Sequence, residues 1–173
     1  MRIYLVGYMG SGKTTVSKKL ASLMGLECYD LDQLFEERFK IEIANFFDKY
    51  DEGLFRNLES QLLKETVVID NAIIATGGGT PCFYDNMEWM NNNGITVYLQ
   101  MHPLSIVSRL SSSRKKRPLL ASKSNAELIG FIKGHLRQRN IFYSQAQIII
   151  KAESIDLAGL SDQIKTALAK KQA

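Results

Sequence analysis

Nine residues near the amino terminus, Gly7-Tyr8-Met9-Gly10-Ser11-Gly12-Lys13-Thr14-Thr15, carry the spacing Gly-x4-Gly-Lys-Thr. Glycine admits backbone conformations closed to other residues, so such a turn can aim its amides inward at phosphate oxygens. A lysine in this place reaches the β- and γ-phosphates, and the hydroxyl that follows it is a ligand for Mg2+. The apolar run at 2–6 precedes the loop, and a helical pattern follows over 12–24, with Val16, Leu20 and Leu23 on one stripe. The helix amino terminus adds its dipole to the phosphate site. Gly10, Ser11, Gly12, Lys13, Thr14 and Thr15 are therefore the expected nucleotide contacts, with ATP and Mg2+ as the implied ligands.

Phosphate binding alone does not say whether the phosphate is transferred. A guanine-reading switch would carry Asn-Lys-x-Asp, and the chain has no such run. A motor or pump would place an acidic residue after an apolar strand, yet the strand at 73–76 runs into Gly77-Gly78-Gly79. The metal's carboxylate must come from elsewhere, and Tyr29-Asp30-Leu31-Asp32 is the obvious source. If that segment is extended, residues two apart face the same way. Asp30 and Asp32 would then both look into the site, one toward the metal and one toward an acceptor hydroxyl. The alternative is that one of them caps the next helix.

These side chains need a scaffold. Apolar runs of strand length recur at 2–6, 27–29, 73–76, 95–100 and 147–151, with helix-like patterns between them. Strands that alternate with helices imply a parallel sheet covered on both faces. Ser124-Asn125-Ala126-Glu127 reads as a capping box opening a helix that runs to about 145. The stretch 31–66 is rich in helix formers and aromatics and breaks at 48–53, which suggests a small helical lobe beside the sheet. Residues 162–173 read as an amphipathic helix with lysines in its last turn. The expectation is one α/β domain over 1–173.

Composition narrows the function classes. The chain has 173 residues, 45% of them hydrophobic and 23% charged, the balance of a globular protein with a full core. No run approaches the roughly 18 apolar residues a membrane helix needs. Cys28 and Cys82 lie far apart and lack metal-ligand spacing, so a reducing cytoplasm is the expected setting. The net charge of +4 suits a pocket that gathers small anions. Lysines and arginines form no stripe interleaved with aromatics, so no nucleic-acid partner is expected. No coiled-coil seam is present, and a monomer is the default. His102, His135 and Trp89 have no partner motif and read as structural.

Taken together, the motifs resemble those of the shikimate kinase family across nearly the whole length. They are Gly7–Thr15, Asp30-Leu31-Asp32, Phe55-Arg56-Asn57-Leu58-Glu59, Thr76-Gly77-Gly78-Gly79-Thr80, Arg117-Pro118-Leu119-Leu120, and Arg139 with Tyr143. The resemblance implies a three-layer P-loop NTPase fold with a five-stranded parallel sheet, a substrate lobe over about 31–62 and a lid over about 111–123. It implies ATP-dependent phosphorylation of the 3-hydroxyl of shikimate. By this pattern Arg56 and Arg139 clamp the substrate carboxylate, and Asp32 binds the ring hydroxyls and orients the 3-hydroxyl or accepts its proton. Glu59, one turn beyond Arg56, pairs with that arginine. Gly77, Gly78 and Gly79 let the backbone approach the substrate. Arg117 swings over the phosphates from the lid, and Arg109 lies against the adenine. Phe47 and Phe55 either wall the substrate pocket or pack in the core. A kinase for another anionic sugar acid such as gluconate, and a nucleotide-binding regulator without turnover, are the competing readings.

Overall fold

The computed structural model describes residues 1–112 and 124–172. The expected lid, Arg117 included, falls almost wholly outside them. Five strands, β1 (Arg2–Val6), β2 (Glu27–Asp30), β3 (Ala72–Ala75), β4 (Ile95–Gln100) and β5 (Ile148–Lys151), form one sheet in the order β2-β3-β1-β4-β5. Every pairing is parallel, with Ile3 opposite both Ile73 and Ile95. Strand β3 is buried at each residue, and β1 and β4 at all but one, whereas the edge strands β2 and β5 carry exposed positions. A sheet centre buried on both faces needs helices on both, which accounts for the continuous apolar runs.

Helix α1 (Lys13–Met24) starts at the phosphate loop and ends on Gly25 in the left-handed conformation. Its inward stripe is Lys13, Val16, Ser17, Leu20 and Ala21. Leu23, expected on that stripe, is 54% exposed, because it has turned past the sheet and borders a shallow surface groove with Leu157 and Ala158. The lobe is three helices: α2 (Leu31–Phe39), α3 (Ile43–Lys49) and α4 (Glu52–Glu65). The break between α3 and α4 falls at 50–51, where the Asp51 carboxylate accepts from the Leu54 N–H at 2.8 Å and caps α4. A nest of Phe35, Phe46 and Phe55, with ring centroids 4.9–5.9 Å apart, fixes the lobe's interior and joins the buried cluster of the sheet.

Two helices went unread in the sequence, α5 (Asn86–Asn93) and α6 (Pro103–Ser112). Helix α7 (Asn125–Tyr143) opens with both halves of the capping box, Ser124 Oγ taking the Glu127 N–H and Glu127 taking the Ser124 N–H at 2.8 Å. Helix α8 (Leu157–Gln172) begins five residues before the expected segment and packs on α1. Strand β1 sits between β3 and β4, so the order reverses there and opens a crevice beyond the strands' carboxyl ends.

Candidate active site

Most of the side chains equipped for chemistry collect in that crevice. A cleft of about 380 Å3 is lined by Met9, Gly10, Gly12, Lys13, Thr14, Thr15, Asp30, Asp32, Thr76, Gly78 and Arg109. Gly12, the N-cap of α1, has φ 93°, a conformation that favours glycine, and helix α1 starts with no side-chain cap and no acidic first turn. Its amides and dipole therefore face the cleft uncompensated by carboxylates of its own first turn. Lys13 is buried, its ammonium donating to the carbonyls of Gly7 (2.7 Å) and Tyr8 (3.1 Å). Among the described residues, Ser11 Oγ is the buried polar side-chain atom that finds no hydrogen-bond partner, and it sits inside the same loop. A loop with an orphaned hydroxyl, a buried cation and a bare helix terminus fits a polyphosphate.

Asp30 and Asp32 reach the cleft by a different route from the one expected. They do not share a strand face: Asp30 ends β2 and Asp32 lies in the first turn of α2. Asp30 does two jobs at once. One carboxylate oxygen accepts the Asp32 N–H at 3.1 Å and caps α2, while the other accepts the Thr14 hydroxyl at 2.7 Å. The two groups expected at Mg2+ are thus already in contact. Among the described residues no cluster of three metal-binding side chains exists, so a cation here would complete its shell with phosphate and water.

Next to the cleft lies the arginine pocket. Arg56 Nη1 donates to Glu59 at 2.9 Å, and Glu59, 2% exposed, also accepts the Thr80 hydroxyl at 2.6 Å. The Nε and Nη2 of Arg56 both donate to Glu52 Oε1 at 3.1 Å. Burial works against the charge of Arg56, but the neighbouring Glu59 and then Glu52 more than offset it and hold the guanidinium firmly protonated. The Arg56 guanidinium carbon lies 4.4 Å from the Phe83 ring centre.

The three glycines explain how these groups fit. A Cβ on Gly77 would stand 2.7 Å from Glu59 Oε1 and 3.0 Å from Asp32 Oδ1; one on Gly79 would stand 2.6 Å from Arg56 Nη2. A Cβ on Gly78 would lie 3.1 Å from the Met9 amide nitrogen. Glycine is needed at 77 and 79 because the site's own side chains lie against the backbone.

Arg139, on α7, reaches the same region with its guanidinium carbon 5.3 Å from the Tyr8 ring centre. It and Arg56 both act on the Cys82 thiol, whose pKa burial nonetheless raises to about 11. Arg109 Nη1 lies 3.3 Å from the Ser11 carbonyl and 3.5 Å from that of Gly10, over the phosphate loop. Phe47 is 43% exposed at the lobe surface; Phe55, at 4%, is enclosed by Phe35, Phe46 and Phe47, the core-packing alternative.

Three contacts escaped the sequence reading. Tyr143, fully buried, donates from its hydroxyl to the Gly78 carbonyl at 2.5 Å and so ties α7 to the glycine turn; burial pushes its phenol well up. His135, one turn before Arg139, has its Nδ1 3.1 Å from the Tyr8 hydroxyl, which links α7 to the phosphate loop. Glu52 sits on Arg56. The i, i+4 spacings of His135 with Arg139 and of Glu52 with Arg56 were visible signals. Trp89 stacks edge-on against Tyr4 at 6.0 Å in a packing role, and the His102 N–H donates to Glu153 at 2.7 Å.

A phosphate loop at the switch point, with two carboxylates in its cleft and a carboxylate-ready arginine beside it, defines a nucleotide-dependent small-molecule kinase. The shikimate kinase family model matches residues 9–169. A shikimate kinase from Parabacteroides distasonis is 43% identical over 169 residues, covering 98% of each chain. The crystal structure of shikimate kinase from Bacteroides thetaiotaomicron superposes with a TM-score of 0.89 at 40% identity, covering 98% of each chain. The solved structure of shikimate kinase from Acinetobacter baumannii in complex with shikimate gives 0.82 at 32% identity, covering 98% of this chain and 93% of that one. The chain belongs to the shikimate kinase family.

Proposed function

We propose that the chain transfers the γ-phosphoryl group of ATP to the 3-hydroxyl of shikimate, giving shikimate 3-phosphate and ADP, a step toward chorismate and the aromatic amino acids. The observation that carries this is the placement of Arg56, held by Glu59 at 2.9 Å, beside a glycine turn that also touches Asp32 and the phosphate loop. An acid anchored at Arg56 and Arg139 would extend its hydroxyls toward Asp32 and the phosphate end of the cleft.

Phosphoryl transfer asks for alignment and charge neutralisation more than for covalent chemistry. Loop amides from Gly10 to Thr15 cradle the phosphates. Lys13 leaves the Gly7 and Tyr8 carbonyls for the β- and γ-oxygens. Thr14 and Asp30 would hold Mg2+, which would supply further positive charge to neutralise the phosphates. Asp32 orients the 3-hydroxyl and takes its proton as the new oxygen–phosphorus bond forms and the bond to the ADP oxygen breaks. Arg109 braces the loop from outside. Arg117, outside the described residues, is assigned to closing over the phosphates.

The whole chain is proposed to act as a single kinase domain and as a monomer, with no nucleic-acid or membrane partner, in the cytoplasm. Supporting this, Lys13, Asp32, Arg56 and Arg139 all come from one chain, and the lobe shares the sheet's buried cluster. Among the described residues no helix is long and apolar enough to cross a membrane.

A coupled assay for ADP release with ATP, Mg2+ and either shikimate or gluconate tests the proposal. Turnover should depend on shikimate, and Asp32→Asn should lower kcat by about 10²–10⁴ while ATP still binds. Absence of shikimate-dependent ADP release would overturn it.

A further inference from the structure

The substrate arginine has two carboxylate partners, and they differ in kind. Glu59 is 3% exposed at its side chain and fastened a second time by Thr80. Glu52 is 58% exposed, in the first turn of α4, and grips Arg56 with one oxygen spanning Nε and Nη2 at 3.1 Å each. The Nε/Nη2 edge presents two parallel N–H groups, the geometry that receives a planar carboxylate through both its oxygens.

Several other approaches to Arg56 are already taken. Phe83 lies over the guanidinium at 4.4 Å and Phe55 at 5.1 Å, the Gly79 backbone presses so near that a Cβ would be 2.6 Å from Nη2, and Glu59 holds Nη1. Two negative charges already surround one positive charge. A third carboxylate on the same guanidinium would be repelled by both unless one leaves. Glu59 cannot leave without stranding a buried charge and the Thr80 hydroxyl. Glu52 can turn into water at little cost.

We infer that Glu52 is an internal competitor for the Arg56 edge, displaced by the carboxylate of the incoming substrate, so that it sets the affinity of the site and its preference for acids. One oxygen straddling two donors is a poorer match than two oxygens meeting them. A ligand with its own carboxylate recovers the contact it breaks; a neutral polyol of the same shape does not. This inference rests on the shikimate reading of the site.

The test is isothermal titration of shikimate into wild type, Glu52→Gln and Glu52→Asp, with KM measured in parallel. Gln keeps the length and loses the charge. Asp keeps the charge at the helix terminus but falls short of the fork. Both variants should bind shikimate about two- to fivefold more tightly, the size expected on releasing an exposed ion pair, and KM should fall with Kd. Their melting temperatures serve as the check on folding. A crystal structure with shikimate should show the Glu52 carboxylate more than about 4 Å from Arg56, beyond ion-pair distance. Binding unchanged or weaker in both variants, or Glu52 still on Nε beside bound acid, overturns the inference. If wild type lacks shikimate-dependent ADP release, it is the functional reading that falls.

Discussion

Glu59→Ala tests how the substrate arginine is held. Glu59 is 2% exposed and accepts two hydrogen bonds, from Arg56 at 2.9 Å and from Thr80 at 2.6 Å. Its removal leaves the Thr80 hydroxyl buried without that acceptor, a loss of roughly 1–3 kcal/mol. It also strips Arg56, 11% exposed at its side chain, of its buried partner. Breaking a buried pair costs about 3–5 kcal/mol, here reduced because Glu52 still neutralises the guanidinium. The two effects share one carboxylate and do not add. A net destabilisation of roughly 2–4 kcal/mol follows. For a chain of this size that lowers Tm by about 5–15 °C. Arg56 should then follow Glu52 away from Gly79, and the KM for shikimate should rise at least about tenfold, the equivalent of about 1.4 kcal/mol in substrate binding. Urea unfolding followed by circular dichroism, with steady-state kinetics beside it, measures both. Glu59→Gln keeps an acceptor for Thr80 and loses only the charge, so it should fall between the two. A Glu59→Ala protein within about 0.5 kcal/mol of wild type and with an unaltered KM would refute the reasoning, since surface substitutions alone behave that way.

Gly79→Ala should separate stability from binding. Gly79 has φ −91°, which alanine tolerates, but its Cβ would stand 2.6 Å from Arg56 Nη2, so the guanidinium must move. Stability should change by less than about 1 kcal/mol while KM for shikimate rises at least about tenfold, checked by unfolding and kinetics. Tyr143→Phe deletes the hydroxyl that donates to the Gly78 carbonyl and should cost roughly 1–3 kcal/mol by leaving that carbonyl unpaired, read from urea midpoints. His135 titrates below the ordinary histidine value, chiefly because it is desolvated and then because Arg139 lies near, with Glu52 pulling the other way. The unfolded chain therefore binds the proton more readily, so this contribution to stability is full above about pH 6.5 and fades as pH falls through that value toward the folded one. Unfolding free energy measured from pH 7.5 to 5 should drop more steeply for wild type than for His135→Gln.

The phosphate loop was legible in the sequence because its chemistry is local. Spacing from Gly7 to Thr14, a strand before and a helix after fix the loop's shape without help from distant residues. The five strands were legible for a related reason: centre strands buried on both faces need unbroken apolar runs, and neither β3 nor β4 alternates between buried and exposed positions. Local patterning also marked the Ser124–Glu127 cap. The helix stripe misled at Leu23 because a period says which residues share a face, not how far the covering layer extends. Of the two readings the Asp30–Asp32 spacing allowed, the shared strand face failed because β2 ends between them, and the capping alternative held, with Asp30 accepting the Asp32 N–H.

The chain by itself determined the chemistry on offer: a polyphosphate cradle, a metal-compatible hydroxyl and carboxylate, and arginines suited to an acid. Only the tertiary structure decided the partnerships. Tyr143 holding Gly78, His135 meeting Tyr8 and Glu59 taking the Thr80 hydroxyl all join segments far apart in the chain and packed together by the fold. Residue types fix which bonds are available, but which donor meets which acceptor depends on distances of a few ångströms across a packed interior, and those are set by the whole fold.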